Sequence, residues 1–134
     1  MDKKPLISVL CLTMNHAHFV EHSFKTLVNQ TCRDFEILYI DNNSRDNSFE
    51  IADKVFKGSQ LPYKNFRRTE NYGIAANLNY LLKMAQGRYI AALCGDDFWE
   101  LTNLEERVNY YIEHPVQNKN QQYNRNLNWH LLVE

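Results

Sequence analysis

The sequence predicts an α/β fold, with a mostly parallel central sheet and helices on both faces. Three observations carry this. Short apolar runs of strand length alternate with segments of helical apolar spacing, in the order β-α-β-α-β-α-β-α. Polar turn clusters separate them. The last strand-like run, Tyr89 to Leu93, stops on Gly95-Asp96-Asp97, two adjacent carboxylates followed by Phe98 and Trp99. In such a sheet the crossovers are right-handed and every strand runs the same way. The residues just past the strands' carboxyl ends, here Thr13, Asp41, Asp96 and Asp97, therefore converge on one edge, where open α/β sheets bind ligands.

Each element has its own reason. Ile7 to Leu12 (ISVLCL) is β-rich and apolar throughout, as a strand buried on both faces should be. From His18 to Asn29 apolar residues recur at Phe19, Val20, Phe24, Leu27 and Val28, a helical spacing. Glu36 to Ile40 (EILYI) reads as the second strand. Asn42 to Ser48 is turn chemistry, with Asp46 or Ser48 available to cap a helix that runs to Gly58. Tyr63 to Arg67 is a third, weaker strand, and Asn71-Tyr72-Gly73 is a turn. Ile74 to Ala85 is a helix ended by Gly87. A last helix spans Thr102 to His114, with Thr102 and Glu105 at capping-box spacing and Pro115 as its stop.

The 134 residues suit one domain, and 44% apolar residues suit a globular one. We divide the chain into a domain over residues 1–115 and an Asn/Gln-rich tail over 116–134, expected to be flexible, in which Trp129 to Val133 is an apolar segment with no assigned place. The formal net charge of -1 argues against nucleic-acid binding. Cys11, Cys32 and Cys94 match no zinc or disulfide spacing and read as reduced thiols, which favours the cytoplasm. No apolar run approaches the roughly 20 residues a bilayer requires. The run after Lys3-Lys4 lacks a cleavage site and reads as a strand rather than a signal peptide.

Paired aspartates are hard oxygen donors, suited to Mg²⁺ or Mn²⁺ bound to a phosphate. The competing reading of Asp96-Asp97 is a solvated acidic turn that caps the following helix. Asp41 reads either as an acceptor for a base N–H or a ribose hydroxyl, or as an Asx-turn residue. Thr13 could offer a hydroxyl to the base. His18 and His22 are four apart on one helix face, but with His16 they lack the acidic residue of an H-E-x-x-H arrangement and an evident third ligand. Arg67-Arg68 could reach a phosphate, but read first as charges on a strand end facing water. Dinucleotide, P-loop and nucleophile-elbow motifs are absent.

Taken together, Ile7 to Asn15, Asp41 to Asp46, Asn71 to Asn77, Gly87 to Ile90, Leu93 to Trp99 and Leu104-Glu105, in this order, resemble the amino-terminal part of a family 2 glycosyltransferase, from about Leu6 to Pro115. The resemblance implies a Rossmann-like GT-A nucleotide-binding half. It implies a base pocket lined by Thr13 and Asp41, Asp96 on ribose or metal, and Asp97 on a Mn²⁺ or Mg²⁺ ion that bridges the donor diphosphate. The implied activity is transfer of a sugar, UDP-linked by expectation, to a glycan or lipid-linked acceptor hydroxyl in cell-surface polysaccharide synthesis. The implied location is cytoplasmic or peripheral to the inner membrane face. Two features depart from the family. Cys94 stands where an acidic residue often begins the carboxylate motif. The acceptor half and its general base are also not legible here, so the catalytic residue is unknown and the chain is expected to be truncated. The alternative is an inactive remnant that binds a nucleoside diphosphate and metal, or an interaction module that self-associates or pairs with a partner through an exposed sheet edge.

Overall fold

The computed structural model describes residues 3–114 and the backbone of 122–124 and 129–131. Four parallel strands, β1 (Ile7–Thr13), β2 (Phe35–Asp41), β3 (Tyr63–Arg67) and β4 (Tyr89–Cys94), alternate with α1 (Val20–Val28), α2 (Ser48–Gly58), α3 (Ile74–Leu82) and α4 (Asn103–Glu113). The predicted α/β architecture is therefore present. Two further strands, β5 (Gln122–Asn124) and β6 (Trp129–Leu131), extend the sheet to the order β3-β2-β1-β4-β6-β5. β6 pairs in parallel with β4, and β5 in antiparallel with β6.

The tail, expected to be flexible, contributes backbone to the sheet at these six positions, and the rest of 116–134 lies outside the described residues. β6 pairs with β4 at Tyr89 and Ile90. The sequence signal was weak because three-residue strands are too short to show a period.

Alternation of side chains along the central strands divides the core in two. Ile7, Val9, Cys11, Ile37, Tyr39, Ala91 and Leu93 face one side and pack with Phe24 and Leu27 of α1, Phe56 of α2 and Leu104 of α4. Leu10, Leu12, Leu38, Ile40 and Ile90 face the other and pack with Leu81 of α3. Helices thus cover both faces, and β1 and β2 are buried along their whole length.

Two helix ends differ from expectation, each because a tertiary bond replaces a local one. α3 stops at Leu82, three residues early. Beyond it the Gln86 N–H donates to Glu36 Oε2 (2.8 Å) and the Gly87 N–H to Ser8 Oγ (2.8 Å), which draws the chain off the helix axis onto the sheet. Ser8 Oγ in turn donates to Glu36 Oε2 at 2.6 Å. At the start of α4 the expected capping box does not form. The buried Gln30 side chain accepts the Leu104 N–H (3.0 Å), and Glu105 accepts the Thr31 hydroxyl (2.6 Å). At α2, Asp46 accepts the Ser48 N–H at 3.0 Å from two positions before the first helical residue, one before the N-cap Asn47.

Gly87 is the tightest point of the fold. A Cβ there would lie 2.5 Å from Ser8 N and 2.6 Å from Ile7 C, both backbone atoms that cannot swing away. Gly87→Ala is expected to cost about 1–3 kcal/mol of unfolding free energy in urea titration. Gly58→Ala, with nothing within 4 Å of the added carbon, is expected to leave stability unchanged or raise it by up to ~1 kcal/mol. Equal effects at the two positions would show that the close approach at Gly87 is not what the glycine serves.

Candidate functional site

The carboxyl ends of β1, β2 and β4 meet at a cavity of ≈ 690 Å³, walled by Met14, His16, Asn42, Asn71, Asp96 and Asp97, with Thr13 and Cys94 among its other lining residues. A larger groove of ≈ 790 Å³ runs between α1 and α2, beside Lys25, Arg33 and Lys54, but none of the strand-end carboxylates line it. The predicted convergence on one sheet edge is therefore seen for Thr13, Asp96 and Asp97. Asp41 is placed differently.

Asp41 is fully buried and turned inward. Its Oδ1 accepts the Thr13 hydroxyl at 2.6 Å and the Ser44 hydroxyl at 2.5 Å, and its Oδ2 accepts the Ser44 N–H at 2.8 Å. Because the Thr13 hydroxyl donates to Asp41, the 2.6 Å contact between Thr13 Oγ1 and Tyr39 is donated by the Tyr39 hydroxyl. Burial pushes the pKa of that phenol up and keeps its proton in place. Asp41 does not line the cavity; its neighbour Asn42 does. Asn42 Oδ1 accepts the Tyr72 N–H (2.9 Å), and its Nδ2 donates to Asn71 Oδ1 (2.9 Å) and to Met14 Sδ (3.6 Å). The sequence reading treated Asn42 and Asn71 as turn formers only. The signal available was their place in strand-end turns on the shared edge.

Four bonds stitch the β1–α1 loop to the β2–α2 loop. The N–H groups of Asn15, His16 and Ala17 donate to Ser44 Oγ (2.9 Å), Ser48 Oγ (2.8 Å) and Asp46 Oδ2 (3.1 Å), and the Arg45 N–H donates to Asn15 Oδ1 (2.8 Å). Burial penalises the Asp46 charge, but the Ser48 hydroxyl and the two N–H donors, with His16 nearby, outweigh it and hold the carboxyl below its usual range.

The carboxylate turn is held from beneath. The Gly95 N–H extends the sheet by donating to Leu12 O (2.8 Å), and Ser23 of α1 donates to Cys94 O (3.1 Å). The Trp99 N–H donates to Thr26 Oγ1 (3.1 Å). A Cβ on Gly95 would press on Thr13 Cγ2 at 2.8 Å and on His16 Nδ1 at 3.0 Å, so only glycine fits between the strand ends. The side chain of Asp96 is 52% exposed, and its one ion-pair contact among the described residues is His16 Nε2 at 3.8 Å. Asp97 is exposed and makes no side-chain hydrogen bond or ion pair among the described residues.

Two solvent-facing carboxylates without protein donors suit a hard cation that takes its remaining ligands from phosphate oxygens and water. Among the described residues no cluster of three or more His, Cys, Asp or Glu could form an all-protein cage. Cys94 does not add a charge: burial, then Asp96 and Asp97, push its thiol pKa up. Arg67 and Arg68 do not reach the cavity. Arg67 pairs with Glu50 (3.1 Å), and Arg68 lies against the rings of Tyr72 and Tyr80 with its Nε donating to Asn77 Oδ1 (2.9 Å). His22 and His18 pack on Phe98 and Phe19.

Comparison with known proteins is consistent with this geometry. A family model described as Glycosyl transferase family 2 matches residues 8–130. A UDP-Glc:alpha-D-GlcNAc-diphosphoundecaprenol beta-1,3-glucosyltransferase of Escherichia coli, WfaP, is 30% identical, the match covering 81% of this chain and 47% of that protein. Among solved structures, Staphylococcus aureus TarS 1–349 in complex with UDP superposes with a TM-score of 0.73 at 24% identity, over 84% of this chain and 33% of that one. A mannosyltransferase from Pyrobaculum calidifontis in complex with GDP-Man and Mn²⁺ does so with a TM-score of 0.74 at 24% identity, over 81% and 33%. The chain spans less than half the length of the curated relatives it matches. No helix of the described residues is long and apolar enough to cross a membrane.

Asp41→Asn is expected to lower stability by about 1–3 kcal/mol, because an amide nitrogen would face one of three committed donors. Asp97→Asn, at an exposed carboxylate beside a like charge, is expected to leave stability unchanged or slightly raised in the same urea titration. Asp46 gives a pH signature. Its folded-state pKa is depressed below the unfolded value, so its contribution is full above about pH 4 and is lost as pH falls through the folded-state pKa. The stability gap between wild type and Asp46→Asn should therefore close at the acid end of a pH series. A gap independent of pH would remove the ionic assignment.

Proposed function

The chain belongs to glycosyl transferase family 2, and from that premise we propose that it forms the donor half of an enzyme that transfers a sugar from a nucleoside-diphosphate sugar to an acceptor hydroxyl. The observation that carries this reading is the cavity at the carboxyl edge, lined by Asn42 and Asn71 and by the two exposed carboxylates of Asp96 and Asp97, neither of which accepts a side-chain hydrogen bond among the described residues. The nucleobase rests against Met14, Asn42 and Asn71. Asp41 supports that wall from within, through Thr13 and Ser44, rather than touching the base. Asp96 and Asp97 would hold Mn²⁺ or Mg²⁺ beside the diphosphate. A divalent cation there would offset the charge that builds on the departing nucleoside diphosphate.

In the reaction the acceptor oxygen forms a bond to the anomeric carbon as the bond from that carbon to the diphosphate oxygen breaks, with inversion. The acceptor's proton passes to a base that we do not assign to any described residue. A UDP-linked donor and a lipid-linked or glycan precursor of cell-surface polysaccharide as acceptor fit the chemistry named for the Escherichia coli relative.

Calorimetric titration with UDP, and in parallel with GDP, tests this. Binding is expected to require Mn²⁺ and to be lost in an Asp96→Asn/Asp97→Asn variant that remains folded. Metal-independent binding that survives in the variant would overturn the assignment of the carboxylates. A folded wild-type chain that binds neither nucleotide would overturn the donor site itself.

A further inference from the structure

His16 lies in the same cavity but has no role in the scheme above. It is firmly placed. Its N–H donates to Ser48 Oγ at 2.8 Å, and its carbonyl accepts the Phe19 and Val20 N–H groups (2.8 and 2.9 Å) that open α1. The imidazole is also fixed. Nδ1 accepts the Met14 N–H at 3.3 Å, and the space left by Gly95 receives the ring, since a Cβ there would lie 3.0 Å from Nδ1. With Nδ1 accepting, the ring proton resides on Nε2. That N–H faces Asp96 Oδ2 across 3.8 Å, beyond hydrogen-bonding range. The side chain is 22% exposed and lines the cavity beside both carboxylates. A rigid, oriented donor beside the carboxylates, with no acceptor in range on Asp96, suits an oxygen supplied by the ligand.

We propose that His16 is a diphosphate-binding residue, its Nε2–H donating to a phosphate oxygen of the nucleoside diphosphate held over Asp96 and Asp97. This rests on the donor-site reading above and deepens it. The nucleoside end lies against the asparagine wall, whereas His16 sits at the carboxylate end. Its contribution should therefore appear for diphosphates and vanish for the nucleoside alone. One hydrogen bond to a charged oxygen corresponds to roughly a ten- to hundredfold change in affinity.

The test is calorimetry with UDP and with uridine, in Mn²⁺, on the wild type and on His16→Phe and His16→Gln. His16→Phe keeps a flat ring and lacks the donor; His16→Gln keeps an N–H donor. A thermal melt of each variant checks folding. The expected result is a loss of roughly tenfold or more in UDP affinity for His16→Phe, substantial recovery in His16→Gln, and no change for uridine. Unchanged UDP affinity in folded His16→Phe overturns the proposal. So does an equal loss for UDP and uridine, which would mark His16 as a shaper of the loop. If His16→Phe fails to fold, His16→Ala takes its place under the same outcomes: a roughly tenfold loss for UDP and none for uridine supports the donor role, and unchanged UDP affinity overturns it. A folded wild type that binds neither UDP nor GDP fails at the donor site first and takes this role with it. Wild-type binding without a His16 effect leaves the donor site standing.

Discussion

One buried carboxylate sets the geometry of the ligand edge. Asp41 ends β2, has no contact with solvent, and is surrounded by the hydroxyls of Thr13 and Ser44 and the Ser44 N–H. A charge so placed is tolerable only because several donors converge on it. Those donors come from the end of β1 and the turn after β2, so satisfying the charge fixes where both loops start. The asparagine wall, the stitched loops and the position of His16 all follow from that anchorage. Asp41 braces the strand end from within, and the cavity surface there belongs to its neighbour Asn42.

The parallel sheet was legible because its strands are uninterrupted apolar runs, and because residues such as Ile7, Val9 and Cys11 alternate with Leu10 and Leu12 to serve two helix layers. The place of Asp96 and Asp97 on the shared sheet edge was legible because they follow the last apolar run directly. Asp41 shows where sequence reasoning stops. Asp41 and Asn42 are adjacent polar residues at the end of β2, and only the strand's pleat decides which faces inward. The charged residue went inward because the donors are there. The same limit explains the α4 cap: Thr102 and Glu105 have the right spacing, but Gln30, 74 positions from Leu104, offers the helix a better-placed acceptor. Local rules lose to tertiary partners that no window of sequence contains.

α1 serves the site more than its distance from the ligand edge suggests. Ser23 and Thr26 hold the segment on either side of Asp96-Asp97 through Cys94 O and the Trp99 N–H, while Gln30 also grips Glu100 O at 2.8 Å. These are hydrogen bonds to backbone. They place the turn while leaving both carboxylates free of protein donors. The two adjacent carboxylates are thus held side by side through the backbone that flanks them.

The position of β1 at the centre of the sheet also sets the order in which the cavity can come into being. Its partner on one side is near in sequence: Ser8 and Glu36 are 28 positions apart. Its partner on the other side is far: Ser8 meets Gly87 across 79 positions. Bringing distant segments together costs loop entropy before any contact rewards it, and non-local pairing slows folding. The β1–β2 unit, with Asp41 and its donors, can assemble from local chain. Asp96 and Asp97 follow β4, and Gly95 before them bonds Leu12 across the sheet, so the carboxylate side of the cavity depends on the distant pairing and the Asp41 side on the near one.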